Sequence, residues 1–248
     1  MKKRQMLNWR RIEEEEKQKK HFAQGLSFYK LFWVFFIGCF MGVLVETLWC
    51  LLTRHMYESR VGLIYGPFNL VYGFGTLALA LGLHWARKKP DFIIMIGGAV
   101  IGSVVEYACS WVQQALFGTV SWDYSEMLFN INGRINLLYT LFWGILAVLW
   151  VKVLYPLMTL CIMKIPNKVG KGLSWALLVF MVFNTVMSAL AVDRWTERKE
   201  NQPDSNAVEV FMDQHYPDER MEQIYANMKF AEDDHENALH KDSHFSEN

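Results

Sequence analysis

The sequence predicts an all-α polytopic membrane protein of about five transmembrane helices, built as two parallel helical-hairpin repeats plus a fifth helix, with polar tails. Three observations carry that prediction. The middle of the chain is nearly purged of charge, five apolar segments are long enough to cross a bilayer, and one glycine–glutamate pattern occurs twice. Of the 248 residues, 52% are apolar or aromatic, 20% are charged, and the formal charge is zero. The zero hides an asymmetry: residues 1–191 carry 19 Lys and Arg against 10 Asp and Glu, while 192–248 carry 6 against 15. A water-soluble domain scatters its charges along amphipathic elements, so this distribution excludes an ordinary soluble fold.

A helix needs about 20 apolar residues to cross a hydrocarbon core of ~30 Å. Five segments qualify: Tyr29–Leu52, Phe68–Ala86, Phe92–Phe117, Ile135–Leu154 and Gly172–Ala191. Backbone amides inside a bilayer must be satisfied internally, which makes these segments helices. The apolar stretch from Val153 to Met163, with Pro156, is too short for another crossing; it either prolongs the fourth helix with a kink or lies in the interface. Three regions follow: an N-terminal arm (1–27), expected to be a cytoplasmic helix; a transmembrane domain (28–191); and an acidic tail (192–248). The transmembrane domain divides into repeat 1 (28–86), repeat 2 (92–163) and a fifth span (172–191). The tail opens on a loop signal at Asn201–Asn206, holds a short helix around Glu219–Phe230 and ends in polar, disordered sequence.

Basic residues set the orientation. The N-terminal arm, the Arg87-Lys88-Lys89 turn and the Lys164, Lys168, Lys171 turn fall on one side, whereas the opposite loops hold only Arg54, Arg60 and Arg134. The positive-inside rule puts the N-terminus in the cytoplasm of a multi-pass protein of the plasma (inner) membrane, and five crossings put the tail outside.

The repeat supplies the candidate site. Gly38-x-x-x-Gly42-x-x-x-Glu46 in the first span recurs as Gly98-x-x-x-Gly102-x-x-x-Glu106 in the third, and Arg60-Val-Gly-Leu-Ile-Tyr65 can be laid over Arg134-Ile-Asn-Leu-Leu-Tyr139, with Phe68 over Phe142. Spacing of four puts each glutamate and its glycines on one helix stripe, and such glycines let another helix approach closely. The expectation is that the two stripes meet at the hairpin–hairpin interface, with Arg60 and Arg134 pairing Glu46 and Glu106. A charge at such depth needs a partner or a task. It either pins the repeats together or forms a polar pocket for a headgroup, a solute or protons. Gly66-Pro67 opens the second span, its first-turn amides facing either an anion or nothing but a loop boundary. The loop from Trp122 to Arg134 brings Trp122, Asp123, Tyr124, Asn130, Asn132 and Arg134 to the mouth between repeats, as a recognition lid or a structural cap.

At these residues the chain resembles the ABC-transporter type IV family, or CmpB-like permeases, of bacterial membranes. The resemblance rests on Glu46, the run Arg60–Gly75, Glu106, the stretch Trp122–Arg134, Phe142-Trp143-Gly144 and the tail segment His215–Phe230, and covers about 28–163 plus part of the tail. Ser59-Arg60-Val61-Gly62 and Asn69-Leu70 depart from the family's usual Asn-Arg-Gly and Cys-Pro. The resemblance implies a permease component of a transporter and a separate ATPase subunit.

Other chemistries find no support. Gly170-Lys171-Gly172 lacks the frame of a phosphate loop, and no zinc-protease or serine-hydrolase motif occurs. The four cysteines lie in apolar runs without paired spacing, and His240 with His244 sits in a solvated tail, so neither a metal nor a cofactor is expected. Expected partners are membrane lipids, touched by the basic arm, and a second copy of the chain, but no nucleic acid. The leading function is a transport component with a polar intramembrane site at the repeat interface. The alternatives are an intramembrane enzyme acting on lipid headgroups and a scaffold or sensor working through its tail.

Overall fold

A computed structural model of the chain describes residues 9, 11, 12, 14 and 20–230. Its helices are α1 (Phe28–Arg54), α2 (Leu70–Gly82), α3 (Asp91–Phe117), α4 (Leu137–Leu149), α5 (Tyr155–Ile162), α6 (Asn167–Lys199), α7 (Ala207–His215) and α8 (Asp218–Ile224). Four two-residue strands make two antiparallel pairs: β1 (Thr119–Val120) with β4 (Lys229–Phe230), and β2 (Asn130–Ile131) with β3 (Ile135–Asn136). Four helical stretches are long and apolar enough to cross a membrane: Phe28–Thr53, Asp91–Phe117, Leu137–Ile162 and Asn167–Lys199. The architecture is that of an all-α polytopic membrane protein. The third stretch joins α4 to α5 through a π-helical turn at Trp150–Leu154, just before Pro156, whose missing amide proton breaks the regular ladder. The Val153–Met163 segment therefore prolongs the preceding helix.

The second predicted span differs. α2 has 13 residues, about 20 Å of helix, too short to cross alone. It begins at Leu70 rather than at Gly66-Pro67, because Asn69 caps it: the Asn69 Oδ1 accepts the amide of Val71 at 3.0 Å. Before that cap the chain runs without helix from His55, and the Asn69 amide donates to the Cys39 carbonyl at 3.1 Å. Cys39 lies fifteen residues back from the end of α1, about 22 Å along its axis. The connection thus descends beside α1 before α2 starts.

Such a descent leaves backbone groups that lipid cannot satisfy. Here α6 satisfies them. The Tyr65 amide donates to Asn184 Oδ1 at 3.0 Å, Asn184 Nδ2 returns a bond to the Tyr65 carbonyl at 2.7 Å, and the Ile64 amide donates to Ser188 Oγ at 2.9 Å. The amides of Gly62 and Leu63 share the Phe68 carbonyl.

Packing follows the glycines, and it corrects one expectation. A Cβ on Gly38 would overlap Thr76 and one on Gly42 the Tyr72 ring; one on Gly98 would overlap Ala147 and one on Gly102 the Trp143 ring. Each stripe therefore seats α2 or α4, the next helix of its own hairpin, and the two stripes do not face each other. Contact between the hairpins runs through α2, where Gly82 meets Ile101, Leu83 meets Gly97, and Gly75 meets Trp143. On this packing Tyr72 matches Trp143, not Phe68 with Phe142, a shift of three residues from the alignment by loop motif.

The tail from Ala207 to Phe230 is folded. α6, 33 residues and about 50 Å long, outruns a bilayer, and its last turns bury Trp195 with Met212, Tyr216, Met221 and Tyr225. The buried Arg194 holds Asp213 with two nitrogens at 2.9 Å, and Arg198 reaches Asp213 at 2.6 Å and Asp218 at 2.7 Å. This cap grips both hairpin loops: Ser59 Oγ donates to the Ile224 carbonyl, Asn227 Nδ2 to the Ser121 carbonyl, and β4 pairs with β1. At the other end Lys152 pairs Asp91 at 3.2 Å, and the Trp9 indole donates to the Val151 carbonyl within the π-helical turn. Trp9 and Ile12 are buried in protein. Residues 9, 11, 12 and 14 of the expected N-terminal helix are helical and 20–27 run without helix; the other residues of the arm and the polar end of the tail, with His240 and His244, lie outside the described residues.

Two measurements check this account. Gly102→Val drives a branched side chain into Trp143 and is expected to cost roughly 1–3 kcal/mol, seen as a lower Tm in detergent. Hydrogen bonds from Arg194, and then Arg198, hold the Asp213 carboxyl below the usual carboxylate range. Its contribution to stability is complete above the unfolded value of about 3.9 and is lost as pH falls through the lower folded value. Limited proteolysis should therefore release the cap only at strongly acid pH, and Asp213→Asn should release it at neutral pH.

Candidate functional site

The candidate residues lie in the C-terminal halves of α1 and α3 and in the two loops that follow these helices. The structure gives the two glutamates different surroundings. Glu46, on α1, lies 3.6 Å from Arg60 Nη1 and is partly exposed. Arg60 is buried; its Nη2 also donates to Glu58 at 2.6 Å and to the Cys50 sulfur at 3.0 Å, one turn above Glu46. The expected Glu46–Arg60 pair is present.

The expected Glu106–Arg134 pair is absent. Glu106 is buried on α3, and its carboxylate accepts the Tyr124 hydroxyl at 3.0 Å and the Trp143 indole N–H at 2.9 Å. Among the described residues no cation lies within ion-pair distance of it. Arg134 instead donates to Ser110 Oγ at 3.1 Å and to Gln114 Oε1 at 2.5 Å, and its guanidinium stacks 5.6 Å over the Tyr107 ring. The reason is geometric. Ser110 and Gln114 continue the stripe of Gly98, Gly102 and Glu106 toward the loop, so Arg134, entering from that end, meets them first.

Of the two carboxylates, Tyr124 bonds to that of Glu106. Its ring stacks on Tyr139 with centroids 4.8 Å apart. Burial, then the Glu106 charge and hydrogen bond, then Tyr139 and the Glu46 charge push its hydroxyl far above the ordinary phenol range. At any physiological pH Tyr124 is therefore a neutral donor aimed at a carboxylate. The other loop residues shape the loop. Trp122 Nε1 donates to the Arg134 carbonyl at 2.9 Å, Asp123 accepts the Ser125 amide and hydroxyl, and Asn130 ties Ser125, Met127 and Gly133 together. Asn132 donates to the Tyr107 hydroxyl at 2.9 Å from a turn in which Asn132 and Gly133 both have positive φ, as a tight hairpin requires. Of the nine candidate positions, Glu46 meets Arg60 and Glu106 meets Tyr124, in two separate sets of contacts; Trp122, Asp123, Asn130, Asn132 and Arg134 shape the loop that carries Tyr124.

Trp143, Asn184 and Ser188 belong to this assembly and were not expected in it. Asn184 and Ser188 carried a signal, two polar residues four apart in an otherwise apolar span. Trp143 stood only within the Phe142-Trp143-Gly144 stretch of the family resemblance, with no role assigned, because only the packing against Gly102 aims its indole at Glu106. One small cavity among the described residues lies away from the carboxylates. It is about 10 Å³, lies near the opposite end of the bundle and is lined by Trp9, Leu83, Trp150 and Tyr155 among others.

A family model described as "Putative ABC-transporter type IV" matches residues 33–189, well over half of the chain. The chain belongs to this family. No curated protein and no solved structure matches it. The family match takes in the four hairpin helices and the apolar length of α6, extending beyond the 28–163 resemblance, and stops before the cap.

Glu106 keeps two neutral donors, and removing either strands a buried carboxylate oxygen. Tyr124→Phe and Trp143→Phe are each expected to cost roughly 1–3 kcal/mol, read as a fall in Tm, with a non-additive double variant because the two bonds end on the two oxygens of one carboxylate.

Proposed function

We propose that the protein is the membrane-embedded permease component of a transporter, with its polar site between the outer halves of two duplicated hairpins. The observation that carries this reading is a carboxylate, Glu106, held inside a span by two neutral donors, with no cation in ion-pair range among the described residues, and covered by the loop that carries Tyr124. Buried intramembrane carboxylates are costly and mark ion or substrate paths. One held without a counter-ion has room for a proton or for the cationic group of a solute, which would exchange against the Tyr124 hydroxyl.

Several features support the finer reading. Gly38 and Gly98, Gly42 and Gly102, and Gly73 and Gly144 occupy matching contacts in the two hairpins. Arg60 meets Cys50, and Arg134 meets Ser110, one turn beyond the glutamate in each copy. Counted with its descending loop, α2 makes a fifth crossing, which leaves the basic turns and the N-terminus on the cytoplasmic side of the plasma membrane and the cap outside. A separate ATPase subunit, lipids and a second copy of the chain are the proposed partners. The first follows from the family, since this chain carries no phosphate loop.

Proteoliposomes challenged with labelled cationic, zwitterionic and anionic solutes test the site. Glu106→Gln keeps the shape and one acceptor oxygen. It should lower uptake of the responding solute about tenfold, the consequence of losing a charge-assisted bond of roughly 1.5 kcal/mol. Uptake equal to that of the unaltered protein, or no response to any solute class with an ATPase partner present, overturns the reading.

A further inference from the structure

The loop between α3 and α4 exposes three large apolar side chains at its apex, beside the exposed polar residues Asp123, Ser125, Glu126 and Asn132. Tyr124, Arg134 and the buried Asn136 bond to α3 or cap α4, while Leu128 is 85% exposed, Phe129 77% and Ile131 57%. Phe129 also has φ +57°, a conformation that bulky residues rarely adopt. Water does not favour such an arrangement, because large apolar side chains cluster away from it.

The depth of this apex explains its chemistry. α4 begins well below the end of α3: Thr140 meets Ser103 at 2.7 Å and Trp143 meets Glu106. The Asn132 side chain reaches the hydroxyl of Tyr107, ten residues and about 15 Å back from Phe117. The loop therefore leaves the top of α3 and returns alongside it to the level where α3 and α4 still present bare apolar surface at Val104, Trp111 and Leu138. The apex is continuous with that surface.

We propose that Leu128, Phe129 and Ile131 are embedded among acyl chains of the outer leaflet, so that the loop over Glu106 is anchored in lipid from one side and by Tyr124 from the other. The partner is hydrocarbon, since the apex continues the bare apolar surface of α3 and α4 and presents large apolar side chains there. An anchored loop of this kind opens toward the leaflet rather than toward water. The proposal rests on the membrane placement of the preceding subsection and not on its substrate site.

Photocrosslinking in phospholipid nanodiscs tests it. p-Benzoylphenylalanine replaces Phe129 in one variant of the full chain and Val100, an exposed position on α3, in another. Intact-mass analysis should find one phospholipid added at both positions. Lipid capture at 100 but none at 129 overturns the proposal, as does capture of a second copy of the chain at 129. Capture at neither position overturns the membrane placement itself, and the proposal with it. Phospholipid adducts at 129 stand whether or not Glu106→Gln changes uptake, so the two readings fail separately.

Discussion

The fold depends on α6 completing the backbone hydrogen bonds of a segment that is not helical. From His55 to Asn69 the chain descends beside α1, and each unpaired amide or carbonyl in hydrocarbon would cost several kcal/mol. Asn184 answers both polar groups of Tyr65, and Ser188 answers Ile64. Because those bonds are made, the chain can delay α2 until Leu70. Because α2 starts late, Arg60 hangs beside the outer half of α1, where it reaches Cys50 and Glu46. Polar residues buried in an apolar helix thus decide where a guanidinium and a carboxylate meet on the other side of the bundle.

The second hairpin reaches a related arrangement by a different route. Its helix α4 begins at Leu137, capped by Asn136, and counted from the Tyr72–Trp143 match it starts about a turn earlier than α2. That extra turn places Thr140 against Ser103 and leaves the loop to fold as a small hairpin over α3 instead of threading between helices. Glycines at matching contacts keep both hairpins tightly packed below this level, where a side chain would force the helices apart. The difference between the copies is confined to the outer third, where the candidate site lies.

How much of this was legible depended on what each residue had to do. Apolar length located four crossings, because a helix through hydrocarbon needs that length whatever it packs against. Within Phe68–Ala86 the structure winds an α-helix only from Leu70 to Gly82, since hydropathy registers apolar residues and not whether they are wound; Asn69, a strong cap, marks its start. The stripe pattern was visible, but it could not say which helix would occupy the groove, and α2 and α4 do so rather than each other's stripes. The acidic tail read as solvent-exposed polar sequence, yet Met212, Tyr216, Met221 and Tyr225 are spaced to pack on Trp195, and their burial binds Ala207–Phe230 to the membrane domain.

The contrast between the glutamates bears most directly on function. Glu46 has a guanidinium within ion-pair range, so its charge is answered by this chain and moving it would mean breaking a partly desolvated pair. Glu106 is more deeply buried and accepts only dipoles, a hydroxyl and an indole N–H. Dipoles stabilise a charge without cancelling it, which leaves the second site open to whatever positive group can displace a tyrosine hydroxyl. On the proposed duplication the two copies have diverged in this respect: one closes its charge with arginine, while the other sends its arginine outward to Ser110 and Gln114 and keeps its carboxylate uncompensated. On the proposed function, this second arrangement is the one whose desolvation cost an arriving cation or proton would offset.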